Sequence, residues 1–411
     1  MTSPLIKDVN LFLDDKPSVF ALRQKAKTTL LQTGFPTKKT EAWKYTNIDP
    51  IIKSDFFIET KNQECDHKCD HQKNSSTFID IHFCNGKLHI EDFSIPDGMT
   101  IIPLPVALYD DDYKKYFFHS FDLEKHPFAA LNGAYLEQGV CVCVEKNKKI
   151  SQPILIKYAF DCCEKQQLNI HNLFILEKNA ELTIIEDFLP AKNSSHLTNV
   201  VNEIFINNNA HFEHYKKQKE SPLAYHLTLN AAKIKQQGFY KQVYFSDGAK
   251  ISRQETLINL EQSNAKAEIF SAYKAKKDSL TDITTNINHL VENTKSNQYA
   301  KAVLEENSNA TFQGKIFIAP NAVKSSGEQL HKALYLADTA NLNCKPELEI
   351  YADDVTCSHG ASCGEIDKEQ LFYLQSRAIN KNTALEMLTK AHLEEIFTYI
   401  SDEKIKDLFS I

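Results

Sequence analysis

The stretch Leu173-Phe174-Ile175-Leu176-Glu177-Lys178-Asn179-Ala180-Glu181-Leu182-Thr183-Ile184-Ile185 decides how the chain is read. Two short runs of apolar and β-branched residues flank a turn in which Asn, tolerant of positive φ, precedes a small Ala. The same unit returns at Asn209-Ala210-His211-Phe212, Gly248-Ala249-Lys250-Ile251, Asn264-Ala265-Lys266-Ala267 and Asn309-Ala310-Thr311-Phe312. Further strand-like runs include Glu203-Ile204-Phe205-Ile206 and Lys315-Ile316-Phe317-Ile318. Strand-turn units repeated without long intervening helices predict a mainly β fold, a solenoid or parallel β-helix, over roughly residues 126–365. Because the spacing of the units is irregular, an ordinary β-sandwich is the competing arrangement.

Outside this core the periodicity changes. Val19, Leu22, Ala26 and Leu30 fall on one helix face, and Gly34 and Pro36 stop it. Residues 1–125 are therefore expected to form an N-terminal helical region, interrupted near 59–77 by a polar tract that cannot bury a core. At the other end, Asp367 with Gln370 marks a helix start, Leu371, Leu374 and Ala378 share a face, and Leu385, Leu388, His392 and Ile396 mark a second helix. Residues 366–411 are expected to be a C-terminal helical region whose removal after Gly364 leaves the β core folded.

Composition narrows the function. The 411 residues carry a formal net charge of −7, with basic residues scattered through acidic sequence, which argues against nucleic acid as a partner. The start, Met1 to Asn10, lacks a basic segment followed by an apolar run, and no stretch approaches a membrane span, so a cytoplasmic protein with no membrane contact is expected. The ten cysteines are irregularly placed and read as reduced thiols. No Walker A loop, G-x-G-x-x-G, H-E-x-x-H or C-x-x-C motif occurs, which counts against the common enzyme classes.

Two clusters of soft ligands remain. Cys65, His67, Cys69 and His71 offer two thiolates and two imidazoles to zinc, but the spacing is not that of a finger, and a solvated loop of biased composition explains them as well. In Cys357-Ser358-His359-Gly360-Ala361-Ser362-Cys363, Cys357 and His359 lie two apart and share a face if the segment is a strand. Two donors make half a metal site, which a partner would have to complete; a buried Cys and a hydrogen-bonded His are the plain alternative.

The surrounding sequence resembles the SufB/SufD family of iron-sulfur cluster assembly proteins. The likeness lies in Pro346 to Val355, in Cys357-Ser358-His359-Gly360-Ala361 and in Leu371-Phe372-Tyr373-Leu374-Gln375-Ser376-Arg377. It continues in Glu41-Ala42-Trp43-Lys44-Tyr45-Thr46, in Phe128-Ala129-Ala130-Leu131-Asn132, in Asp282, His289 and Ser296, and in Phe312-Gln313-Gly314-Lys315. SufB is longer and carries Glu-Ala where this chain has His359-Gly360-Ala361, so the likeness is to the family's other branch. Ala378 and His392 depart from the family pattern, which usually has Gly and Phe there.

The resemblance implies a right-handed parallel β-helix flanked by helical regions, paired with SufB and bound by the SufC ATPase. It implies a non-catalytic scaffold, with a transient iron-sulfur cluster or iron held at the SufB interface by His359, and with Cys357 as an auxiliary thiolate. No cofactor is expected to stay bound to the isolated chain, which could instead form a homodimer. Phe372, Tyr373 and Arg377 are the expected docking residues for SufC, and Trp43 is expected to anchor the N-terminal region. The alternative is a β-helix enzyme acting on polysaccharide, with Asp353 and Asp354 as acid and base.

Overall fold

A computed structural model describes residues 3–6, 16–58, 77–90, 95–160, 165–190 and 194–411. In chain order its strands are β1 (Ile79–Cys84), β2 (Lys87–Ile90), β3 (Met99–Pro103), β4 (Val140–Val144), β5 (Ile154–Ala159), β6 (Gln167–Leu176), β7 (Glu181–Phe188), β8 (Leu197–Ile206), β9 (His211–Gln218) and β10 (Tyr225–Ile234). They continue as β11 (Phe239–Ser246), β12 (Ile251–Leu260), β13 (Lys266–Ala275), β14 (Leu280–His289), β15 (Lys295–Leu304), β16 (Asn309–Ile318), β17 (Ser326–Tyr335), β18 (Asn341–Ile350) and β19 (Thr356–Glu365). From β4 onward even-numbered strands stack in parallel in one sheet and odd-numbered strands in the other. The chain thus winds as a parallel β-helix of about eight turns, not a sandwich.

The turns do what the sequence pattern requires. Asn179, Asn209 and Asn264 take φ of 60°, 58° and 63°, the left-handed conformation that Asn tolerates best among residues with a side chain. Their amides also stack: Asn209 Nδ2 donates to Asn179 Oδ1 at 2.9 Å and Asn179 Nδ2 to Asn147 Oδ1 at 2.6 Å. In two units the positive φ sits elsewhere, on Ala249 at 67° and on Asn307 at 54°, two residues before the Asn309 of the motif. Ladder partners on successive coils lie between 26 and 32 residues apart, so each coil absorbs its own corner insertions.

Each sheet has an inner face toward the lumen and an outer face covered by helix. Inside, Ile156, Phe174, Ile184, Ile204, Phe212 and Ile258 interlock in a core from which water is excluded. Each such side chain contributes about 1.5–3 kcal/mol. Polar residues also enter the lumen, but as ladders: Asn172 donates to Asn202 at 2.9 Å and Asn202 to Asn230 at 2.8 Å, so the side-chain oxygens of Asn202 and Asn230 each find a donor.

The helices are α1 (Pro17–Thr33), α2 (Asp49–Ile52), α3 (Leu104–Ala107), α4 (Asp111–Lys114), α5 (Pro127–Ala134), α6 (Lys368–Ser376), α7 (Lys381–Glu394) and α8 (Glu403–Leu408). Val19, Ala26 and Leu30 of α1 and Leu131 of α5 pack with Leu173, Val201 and Phe205 on the outer face of the even sheet. Residues 1–125 are not purely helical, because β1, β2 and β3 lie within them and finish the N-terminal ends of both sheets.

At the far end, Leu393, Ile396, Phe397, Ile405 and Phe409 pack on Tyr215, Val243, Phe245 and Phe270 of the odd sheet. A cut after Gly364, expected to leave the β core folded, would remove these side chains. The cut would strip the outer face of β9, β11 and β13 of its cover and expose buried aromatics.

Candidate functional site

The N-terminal ends of the two sheets finish on the antiparallel strands β2 and β3, and the C-terminal ends on the parallel strands β19 and β18, beside which no further strand lies among the described residues. Cys357 and His359 both lie on β19, in register with Gly327 and Gln329 of β17. A Cβ placed on Gly327 would come within 3.0 Å of Ile316 on the facing sheet, and one on Gly314 of that sheet would strike Gln329. This ladder therefore faces the lumen, and the strand alternation puts Cys357 and His359 on the lumen side of the last coil.

Their environments differ. Cys357 is partly buried against the small apolar cluster of Ile316, Ile318, Ala322 and Ala352. Burial pushes its thiol above the usual range, and the Gly327 N–H pulls it partly back. A metal would have to displace the thiol proton as it binds, because the pocket does not lower the thiol in advance. His359 is exposed in the open mouth of the helix, beneath which Gln329 is buried with no hydrogen-bond partner for either amide atom among the described residues. Among the described residues no three His, Cys, Asp or Glu side chains converge as a metal-binding set.

Sequence reasoning did not single out several neighbours. Cys344 and Cys363 sit on β18 and β19 as free thiols, and Tyr335 hydrogen-bonds to Cys363. Burial and then the nearby Cys363 push Cys344 up to about 11. Behind them His331 accepts or donates one bond, 2.7 Å from the Tyr273 hydroxyl, and burial holds its imidazole down to about 3. Cys363 closes the Cys357–Cys363 stretch, but Tyr335, Cys344 and Tyr273 come from other strands, and no local pattern joins them to it.

The other sequence candidates lie elsewhere. Phe372 and Tyr373 project from α6 with 72% and 56% exposure, and the Arg377 guanidinium lies 5.4 Å from the Tyr373 ring centre. Asp353 and Asp354 lie in the corner between β18 and β19, where the Asp354 carbonyl accepts the Lys324 N–H. The Cys65, His67, Cys69 and His71 tract lies outside the described residues.

Trp43 is buried, 5.3 Å from the Phe128 ring centre, and the Arg253 guanidinium stacks on it at 4.0 Å. Arg253 and Thr46 both bond the buried Asp282 carboxylate, and Gln313 Nε2 donates to the Ala42 carbonyl at 3.1 Å. The Glu41–Thr46 segment is thereby clamped to the outer face of β12, β14 and β16. Residues from four separate parts of the sequence signature form one contact.

This β-helix, with its helical flanks and the clamp between them, is matched by two family models. "SUF system FeS cluster assembly, SufBD core domain" covers residues 161–392, and "SufBD protein N-terminal region" covers residues 8–156. The chain belongs to the SufBD family and has a role in iron-sulfur cluster assembly. It is 29% identical over 381 residues to the iron-sulfur cluster assembly protein SufD of Escherichia coli, covering 92% of this chain and 88% of the relative. A SufBD family protein of Synechocystis is 25% identical, covering 92% and 86%, and the chloroplastic protein ABCI7 of Arabidopsis thaliana is 27% identical, covering 94% and 83%. No helix among the described residues is long and apolar enough to cross a membrane.

Proposed function

We propose that the chain is a non-catalytic scaffold subunit that works in the cytoplasm, pairs with SufB through the open end of its β-helix and docks the SufC ATPase on its C-terminal helices. The observation that carries this reading is the position of His359 and Cys357 on β19, the free edge strand of one sheet. An unpaired strand edge invites a strand from another chain, and a two-donor set on that strand leaves the remaining ligands to the newcomer. A nascent cluster, or the iron that builds it, is then cargo shared across the joint, with His359 as the main ligand from this side and Cys357 as an auxiliary thiolate. Without SufB the same edge can pair with a second copy of the chain. The exposed aromatic pair of α6 with Arg377 has the composition of an interface anchor, which supports it as the SufC surface.

The test is co-expression of His359→Ala with SufB and SufC, anaerobic purification, and iron and sulfide analysis. The complex should form in normal yield while its iron and sulfide fall well below wild type. Wild-type iron and sulfide in the variant, or a defect traceable only to loss of the complex, would remove His359 from the site.

A further inference from the structure

Far from the open end, the corners that lead from the odd sheet back to the even sheet surround a cavity of about 550 Å³. Three successive coils supply it with five lysines, Lys219, Lys250, Lys274, Lys276 and Lys277. Two carboxylates on the same rim, Asp247 and Asp278, leave the lysines in excess. Lys276 is paired with Asp247 at 2.7 Å, and Lys277 reaches away to Glu306 at 4.0 Å. Among the described residues Lys219, Lys250 and Lys274 have no carboxylate within ion-pair distance. The floor residue Glu220 is a third carboxylate, bonded to Gln218 at 2.9 Å and 3.2 Å from His196, so five lysines face three carboxylates.

Strand register makes this crowding a property of the fold. Gln218, Ser246 and Tyr273 are ladder partners, so the residues that follow them, Lys219, Asp247 and Lys274, stack on consecutive coils. Two ammonium groups therefore flank one carboxylate that Lys276 already occupies. Lys219 is half-buried, and burial together with Lys217 holds its ammonium below the usual range. Asp247 and Asp187 offset only part of this, and a bound anion would offset more of it. Pro190, Pro222 and Leu223, the last 45% exposed, also line the cavity and give it an apolar wall.

From this arrangement we infer that the corner cavity binds an organic phosphate of about nucleotide size. Its volume lies within the about 300–1,000 Å³ of small-molecule sites. Ammonium groups arriving from three coils suit the several oxygens of a phosphoryl group better than a single carboxylate, and lysine serves phosphate as a point charge. The apolar wall takes the non-phosphate part. The site lies apart from β18, β19 and α6, so it stands or falls independently of the scaffold reading.

The test uses the full chain at low salt, titrated calorimetrically with ADP and with inorganic pyrophosphate. The Lys219→Ala/Lys250→Ala/Lys274→Ala variant is compared with a control of equal charge loss at exposed sites, Lys368→Ala/Lys381→Ala/Lys404→Ala, and melting of all three proteins verifies folding. ADP should bind saturably with a Kd near or below about 1 mM and more tightly than pyrophosphate, and the cavity variant should weaken it about tenfold while the control does not. No saturable binding of ADP, or equal weakening in the two variants, overturns the site. Pyrophosphate binding as tightly as ADP overturns the role of the apolar wall and with it the organic ligand.

Discussion

Replacing Trp43 by Ala should detach the N-terminal region from the β-helix. The indole is 5% exposed, packs on Phe128 and carries the Arg253 guanidinium 4.0 Å from its ring. Truncating a buried Trp costs about 3–5 kcal/mol, and losing the stacked cation adds up to about 2 kcal/mol. Water entering the gap would solvate Arg253 and Asp282 and return part of this, so about 4 kcal/mol is the net expectation. At about 2.1 cal/mol/K per residue, the unfolding entropy of a 411-residue chain is about 0.9 kcal/mol/K, so the melting temperature should drop by about 5 °C. Calorimetry reads the global effect, and hydrogen exchange over residues 17–58 reads the local one. Protection should fall there first, while β6 to β16 keep theirs. Unchanged melting with unchanged exchange in that segment would show that the clamp on β12, β14 and β16 holds without the indole, and the anchoring argument would be refuted.

Phe372→Ala and Tyr373→Ala should each weaken capture of the SufC ATPase by at least about tenfold in a pull-down titration while leaving melting unchanged, since both side chains are exposed; wild-type affinity would move the docking surface elsewhere. Burial holds His289 down to about 4 and His331 to about 3, against an ordinary value of 6.5. The unfolded chain therefore takes up protons first, and the stability present in full above about pH 6.5 should be lost progressively as pH falls toward about 4. His289→Gln should flatten that slope; a melting temperature constant from about pH 7 to about pH 5 would contradict the assignment. Ala378 holds φ of 63° at the C-terminal end of α6, so Ala378→Gly should stabilise the chain by about 1 kcal/mol, read as a rise in the denaturant midpoint. A lower midpoint would mean that the methyl group packs usefully.

Ala378 also shows what a family comparison conveys and a propensity does not. On the helix face it reads as one more apolar position after Leu371 and Leu374, yet its N–H bonds back to Gln375 and the chain turns left-handed there. The family's usual Gly marks a conformation rather than a contact. The β-helix itself was legible because two local signals coincide in each coil, alternating apolar runs and an Asn at the corner. What hid its regularity is the variable coil length, since corner insertions shift the spacing from 26 to 32 residues without disturbing the ladders. Strands β1, β2 and β3 escaped notice because each is short and pairs only at the ends of the sheets. Cys357 and His359 stood out since two residues on one strand share a face, a relation written in the sequence. Gln329, Cys344 and Tyr335 did not, because their proximity depends on register between coils, which hydrophobic pattern alone does not specify. The same limit conceals the lysines of the corner cavity.

The placement of the proposed half-site at the last coil follows from how a β-helix is built. On an inner coil each strand has neighbours on both sides, its backbone groups are paired, and its lumen residues are shut between coils. The ladder of His359 runs inward through Gln329 to Gln298, and that of Cys357 through Gly327 to Ser296, all buried. Side chains at those inner positions contact only the chain itself. On β19 alone in the odd sheet do the same ladder positions meet both solvent and a free strand edge. A ligand set that faces the lumen yet is to be completed by another chain has no other coil on which to sit. The unlowered thiol of Cys357 fits such a place, because a donor that keeps its proton until metal arrives regains that proton when the partner withdraws, and so favours release of the cargo over its retention.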